Sequence, residues 1–135
     1  MALIRFRLDP RSGLPPYRQL VDQVRQAVSL GLLCPGDQLP SVREVVAQIA
    51  INPNTVHRAY RDLEKEGLVT GRPGIGTFVV ALTAAQVSTE SLRQLSVELH
   101  RWIEKARQAG LDDAGIAALI ATTTAAGPDV FAPTP

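Results

Sequence analysis

Cysteine occurs once in the 135 residues, at Cys34, which excludes an internal disulfide and any zinc site built from several cysteines. Cys34 precedes a proline in a turn-like run and is expected to be structural. No apolar run approaches the length of a membrane span. The opening MALIRFRLDP lacks the charged-then-apolar layout of a secretory leader, so a cytoplasmic protein is expected. Strong charge of either sign is also missing, the net value being +1. The little there is lies unevenly. Residues 1–80 carry ten Lys/Arg against seven Asp/Glu, and residues 81–135 carry four against six. A mildly basic part followed by a mildly acidic one suits a nucleic-acid module joined to a protein-contact module. Internal repeats are absent. So are catalytic signatures: no Ser/His/Asp or Cys/His order has supporting context. Gly71-Arg72-Pro73-Gly74-Ile75-Gly76 has the glycines of a phosphate loop, but it lacks the following Lys-Ser/Thr and leads into a strand. His57, His100 and the scattered carboxylates form no metal-ligand pattern. No catalytic residue, metal or cofactor is expected.

What is present is concentrated in residues 37–80. Before them, Ile4, Phe6 and Leu8 alternate in a brief strand or extended arm that ends in turn residues. Pro16 then opens a first helix to about Leu30, with Tyr17, Leu20, Val21, Val24, Ala27, Val28 and Leu32 at helical spacing. Gly31 breaks it, and Cys34 to Asp37 make a turn. Ser41 and Glu44 form a capping-box pair at the start of a second helix, whose buried stripe is Val42, Val45, Val46 and Ile49. That helix stops near Ile51, because Asn52-Pro53 caps and starts a third helix running to about Glu66. Two helices joined by so short a connector form a helix-turn-helix. Leu68–Thr70 and Thr77–Val80 follow as strands around the glycine-rich loop 71–76, a hairpin placed as a wing. The predicted fold class is therefore mainly α with a small β-hairpin, a winged helix-turn-helix, followed by two further helices.

The third helix has two unlike faces. Val56, Ala59, Tyr60 and Leu63 cluster on one side; Asn54, Arg58 and Arg61 lie opposite, flanked by Thr55 and His57. In a helix-turn-helix the outward face of this helix meets base edges in the major groove. Asn can bond adenine and Arg guanine bidentately, and Thr can touch a thymine methyl or a phosphate. The same residues on an isolated helix would be a solvated face; the succession of elements around them favours double-stranded DNA. Ser41 and Arg43 at the start of the second helix are candidates for phosphate contact. For Ser41, capping alone explains its presence equally well. Arg72, Gly74 and Gly76 would bring an arginine and bare backbone to the minor groove or its phosphates. Lys65 lies far from the groove-entering end and is expected to be solvated.

Four stretches together resemble the GntR family of bacterial transcription regulators, namely Pro16 to Leu20, Gly31 to Glu44, Asn52 to Val56 and Gly74 to Val79. The resemblance covers residues 15–80. The N-terminal IRFRLDPRSGLPPYRQL, the Asn-Pro-Asn turn and the short helical tail are similar to the YtrA subfamily in particular. The resemblance implies a dimeric DNA-binding repressor whose C-terminal helices mediate dimerisation, in a subfamily that often controls transporter operons. Family DNA-contacting positions match Arg43, Asn54, Thr55 and the wing glycines. The recognition-helix position often held by arginine is His57 here, with Arg58 following.

Three regions are expected: residues 1–81 as the winged helix-turn-helix with its arm, 82–126 as a helical dimerisation region, and 127–135 as a disordered tail. Within the second, Thr83 and Gln86 suggest a cap for a long helix from about Ala84 to Ala109, and a shorter helix runs from about Asp112 to Thr124. Leu92, Leu95, Leu99, Trp102, Ile103 and Ala106 on the first, with Ile116, Leu119 and Ile120 on the second, form the candidate homodimer surface. Trp102 is expected in a dimer core, and His100 as a surface or partly buried histidine. Two helices cannot enclose a typical ligand pocket, so a large effector domain is not expected. The leading function is a homodimeric sequence-specific regulator, a repressor at an inverted-repeat operator. An interaction protein using the winged helix, or a sensor holding a small molecule at the dimer cleft, are the alternatives.

Overall fold

The computed structural model of the chain describes residues 4–80 and 88–128. The chain divides into two compact units, residues 1–87 and 88–135.

The first unit contains α1 (Pro16–Ser29), α2 (Val42–Ile49), α3 (Pro53–Lys65), β1 (Val69–Arg72) and β2 (Gly76–Val79). Its core is made by the inner faces of the three helices together with Leu33, Leu39, Val69 and Val79. The expected stripes supply it: Leu20, Val21, Val24 and Val28 from α1, Val45 from α2, and Val56, Ala59 and Leu63 from α3. Each of these sets recurs at three or four residues, so one side of each helix is apolar and is driven inward by removal from water. Val42, Val46 and Ile49 reach the core only in part.

The arm folds back onto its own unit, with Ile4 and Phe6 buried in that core. Among the described residues it has no strand partner. Two glutamines one turn apart on α1 take that role. The Arg7 backbone N–H donates to Gln23 Oε1 at 3.0 Å, and Gln23 Nε2 donates back to the Arg7 carbonyl at 2.7 Å. Gln19 makes the same reciprocal pair with Asp9, at 2.8 and 3.0 Å. The primary amide carries a donor and an acceptor side by side, so each glutamine satisfies both backbone groups of one residue, as a neighbouring strand would.

Helix α2 ends two residues earlier than the sequence suggests. Ala50 is its C-cap in the left-handed region, with φ 50° and ψ 45°, and is exposed. A residue with a Cβ is disfavoured there and glycine is not. Ala50→Gly is therefore expected to raise stability by about 0.5–1 kcal/mol, seen as a higher urea midpoint at unchanged slope. An unchanged or lower midpoint would mean that the turn carries no strain.

The hairpin also differs from expectation. Val69 pairs with Val79 and Arg72 with Gly76, so Gly71, Arg72 and Gly76 belong to strands, and only Pro73-Gly74-Ile75 forms the loop. Gly36 to Leu39, expected only as turn and linker, lie along β2. Gly36 and Leu39 donate to the carbonyls of Val79 and Thr77, and the Val79 N–H donates to the Asp37 carbonyl, each at 2.8 Å. So short a segment has no alternation that could announce this pairing. Arg25 of α1 grips Glu66 with two guanidinium nitrogens, tying the end of α3 to α1. That hydrogen-bonded pairing holds the Glu66 carboxyl below its ordinary value and the guanidinium of Arg25 above its own.

The second unit contains α4 (Thr89–Gln108) and α5 (Asp113–Ala126). Helix α4 is capped by Ser88, whose side chain accepts from the Ser91 N–H, so it begins later than the expected Ala84. The Thr83–Gln86 pair lies outside the described residues. Asp112 caps α5, accepting from the Gly115 N–H at 2.8 Å. The two helices meet near their joint, where Ala106 and Ile116 are buried and Arg107 bonds both Glu104 and Asp113. Gly127 caps the end of α5. The rest of the expected tail, residues 129–135, lies outside the described residues. No helix among the described residues is long and apolar enough to cross a membrane.

Candidate nucleic-acid interface

Helix α3 is held against the core by Val56, Ala59, Tyr60 and Leu63, all buried, while Asn54, His57, Arg58 and Arg61 are exposed. Thr55 is half-buried. Both faces follow from one 3.6-residue period. At its start Asn52 accepts from the Asn54 N–H at 2.8 Å, and Pro53 occupies the first turn, where no backbone donor is needed. The Asn54 side chain is left exposed at the tip.

Helix α2 presents its own N-terminus close by. Ser41 and Glu44 form a full capping box, with the Glu44 N–H donating to Ser41 Oγ at 3.1 Å. Ser41 is thus engaged as a cap. Arg43, in the same first turn, is exposed and has no carboxylate partner among the described residues. The Tyr60 hydroxyl donates to the Pro40 carbonyl at 2.5 Å, which locks the start of α2 to the middle of α3. Burial, and secondarily Glu44, pushes this phenol well above its ordinary value, so it stays a neutral donor.

A groove of about 330 Å³ separates α3 from the wing. His57, Arg61 and Glu64 form one wall, Ile75, Gly76 and Thr77 the other, with Gln38 and Ser41 also lining it. Of the residues predicted from sequence, it gathers Ser41, His57, Arg61 and Gly76. A shallower hollow at the wing holds Arg72, Gly74 and Gly76. Arg43, Asn54, Thr55 and Arg58 line neither.

Gln38 was not among the predicted residues, yet it supports the wing. Its Nε2 donates to the Ile75 carbonyl at 3.2 Å, beside Gly76 at φ 149°. A Cβ on Gly76 would stand 2.3 Å from that nitrogen, the movable end of a side chain, so it is the dihedral that calls for glycine and a Cβ would in addition displace Gln38 from Ile75. The Arg72 guanidinium lies over the Phe78 ring, 5.1 Å from its centroid. Ile75, 65% exposed, forms the wing tip. Arg58 is turned toward α1, with its Cζ 3.7 Å from the Tyr17 ring centroid. Tyr17 was predicted only as a member of the first helix, and no local pattern links it to Arg58.

This arrangement offers an exposed polar helix face, a second helix N-terminus bearing an arginine, and a wing bearing another. Among the described residues no three His, Cys, Asp or Glu side chains come together as a metal site would need. Residues 16–79 match the family described as bacterial regulatory proteins, gntR family. The chain is 36% identical over 107 residues to the HTH-type transcriptional repressor YtrA of Bacillus subtilis (strain 168), covering 79% of this chain and 82% of that protein. The chain belongs to the GntR family.

Solved structures agree. YtrA from Sulfolobus acidocaldarius, a GntR-family transcription factor, is 29% identical with a TM-score of 0.53, covering 73% of this chain and 97% of that one. AraR(DBD) in complex with operator ORX1 is 28% identical with a TM-score of 0.50, over 59% of this chain and 99% of that one. This GntR member is a winged-helix, DNA-binding transcription regulator and not an enzyme.

Proposed function

We propose that this GntR regulator is a cytoplasmic homodimeric repressor that recognises an inverted-repeat operator. Residues 1–81 serve as the reading head and 82–126 as the dimerisation region. The observation that carries DNA recognition is the outer face of α3. Asn54 and Arg61 stand on the face opposite the one that packs in the core, flanked by exposed His57 and half-buried Thr55. Asn54 and Arg61 suit bidentate contacts to adenine and guanine, and Thr55 a methyl or phosphate. His57 adds a ring that can donate to a base edge. Arg43 holds a phosphate beside the helix. Ser41 orders the α2 N-terminus, and Arg72 with Gly74 and Gly76 follows the backbone at the wing.

Dimerisation is supported by the second unit. Of residues 88–101, all are exposed except half-buried Leu92, although Leu95 and Leu99 continue its apolar line at 55% and 48% exposed. Trp102, Ile103, Leu119 and Ile120 extend that surface toward Ala106 and Ile116. A helix with so little packed surface is marginal alone and is stabilised when a second copy covers the stripe. Twofold pairing would set two reading helices on half-sites about 34–36 Å apart.

The test is a titration of the purified chain on its own promoter fragment and on random duplex at near-physiological salt. Preference for the promoter, weakening as salt rises, is the expected result. Equal binding to both would end the proposal. Within it, Arg61→Ala is expected to lose about 1–3 kcal/mol on the operator and to relax preference at one base position, with thermal stability unmoved. Unchanged discrimination would remove Arg61 from the base-reading set.

A further inference from the structure

Arg58 occupies an unusual position for an exposed arginine. At 3.7 Å its guanidinium is in direct contact with the face of the Tyr17 ring, which is half-buried and packed on the core. A cation over such a ring is held electrostatically, and a platform packed on the core cannot swing away. The side chain takes part in no ion pair or hydrogen bond among the described residues. The arginines that do pair, Arg25, Arg93 and Arg107, have donors engaged by carboxylates. Arg58 therefore combines a fixed location with an unengaged donor fork, the form suited to an oxyanion.

The location indicates which oxyanion. The side chain leaves α3 sideways to reach the first turn of α1, so its charge sits on the flank of the reading helix. When a helix lies in the major groove, base edges face its outer side and phosphates line the rims. We propose that Tyr17 is a positioning residue which holds Arg58 as a clamp on a DNA phosphate at the groove rim, so that Arg58 supplies affinity and not base choice. The inference rests on the DNA-binding role proposed above. It differs from expecting guanine contact at Arg58.

Wild type, Tyr17→Phe, Tyr17→Leu, Arg58→Ala and the Tyr17→Leu/Arg58→Ala double variant would be titrated against the operator and its single-base variants over a range of salt. Arg58→Ala should weaken binding to every sequence alike and reduce the salt slope by about one. Tyr17→Leu, which frees one long side chain that binding must then order, should weaken binding about two- to tenfold. Tyr17→Phe keeps the ring and should match wild type, and the double variant should be no weaker than Arg58→Ala. A changed base ranking with Arg58→Ala, additive losses in the double variant, or a Tyr17→Phe loss equal to that of Tyr17→Leu would each overturn the proposal. NMR of the DNA-free chain supplies a measurement independent of any variant's folding: the Arg58 Hδ protons should show an upfield ring-current shift, and its absence overturns the stack. Wild type that fails to prefer its operator defeats the DNA reading and this inference together. Wild type that prefers it while Tyr17→Leu binds equally well defeats the inference alone.

Discussion

A chain carrying Leu95→Glu and Leu99→Glu is expected to sediment as a monomer and to bind its operator about 10²–10⁴-fold more weakly than wild type. The two positions are one helical turn apart, so they share a face of α4. Within a single chain both side chains are about half exposed, and carboxylates there cost the isolated chain little. In a twofold interface each change would appear twice, placing four like charges where apolar contact is needed. The loss in binding comes from uncoupling two half-sites. Once one head of a dimer is seated, the other is held at high effective concentration, and a monomer loses that advantage without losing any contact of its own. Sedimentation velocity and operator titration should therefore change together, while affinity for a single half-site stays the same. A double variant that remains dimeric with full operator affinity would move the twofold contact away from α4.

Leu63→Ala is expected to cost about 2–5 kcal/mol of stability and leave the reading face intact. Leu63 is 0% exposed and lies on the inner face of α3 with Val56, Ala59 and Tyr60. Truncation removes apolar contacts and leaves a cavity, because the neighbouring side chains are held by helices that cannot collapse inward freely. The first unit is small, and a core of that size supplies only a few kcal/mol of net stability, so this loss is a large share of it. The midpoint of thermal unfolding should fall by roughly 4–8 °C per kcal/mol. At low temperature the remaining folded fraction should discriminate operator from random duplex as wild type does. Arg61→Ala predicts the reverse pair of outcomes, intact melting and lost discrimination. A shift of only a degree or two for Leu63→Ala would show that the core does not depend on this side chain.

The local features of the reading head were legible along the chain. The Ser41–Glu44 box, the Asn52-Pro53 helix start and the glycine stops at Gly31 and Gly67 involve residues within a few positions of one another. The two faces of α3 required only the helical period, which assigns Val56 and Leu63 inward and Asn54 and Arg61 outward. Boundaries were less legible. Gly71 and Gly76 look like loop residues, but pairing across the hairpin places them in strands, Gly71 opposite Thr77 and Gly76 opposite Arg72, and Glu64 Oε1 also accepts from the Gly71 N–H at 3.0 Å.

Residues 37–80 by themselves determined that this chain would fold as a winged helix-turn-helix and which helix face would be offered to DNA. Helical period, capping and turn chemistry act over a few residues and are written in order along the chain. The tertiary structure alone decided that Arg58 rests on Tyr17, that Gln19 and Gln23 clasp the arm, that Gln38 carries the wing, and that Leu95 and Leu99 stay exposed in the single chain. The first three join residues far apart in sequence, and the fourth depends on what does not pack against a helix. Neither leaves a periodic trace, because such contacts are set by the meeting of whole elements and not by the spacing of neighbours.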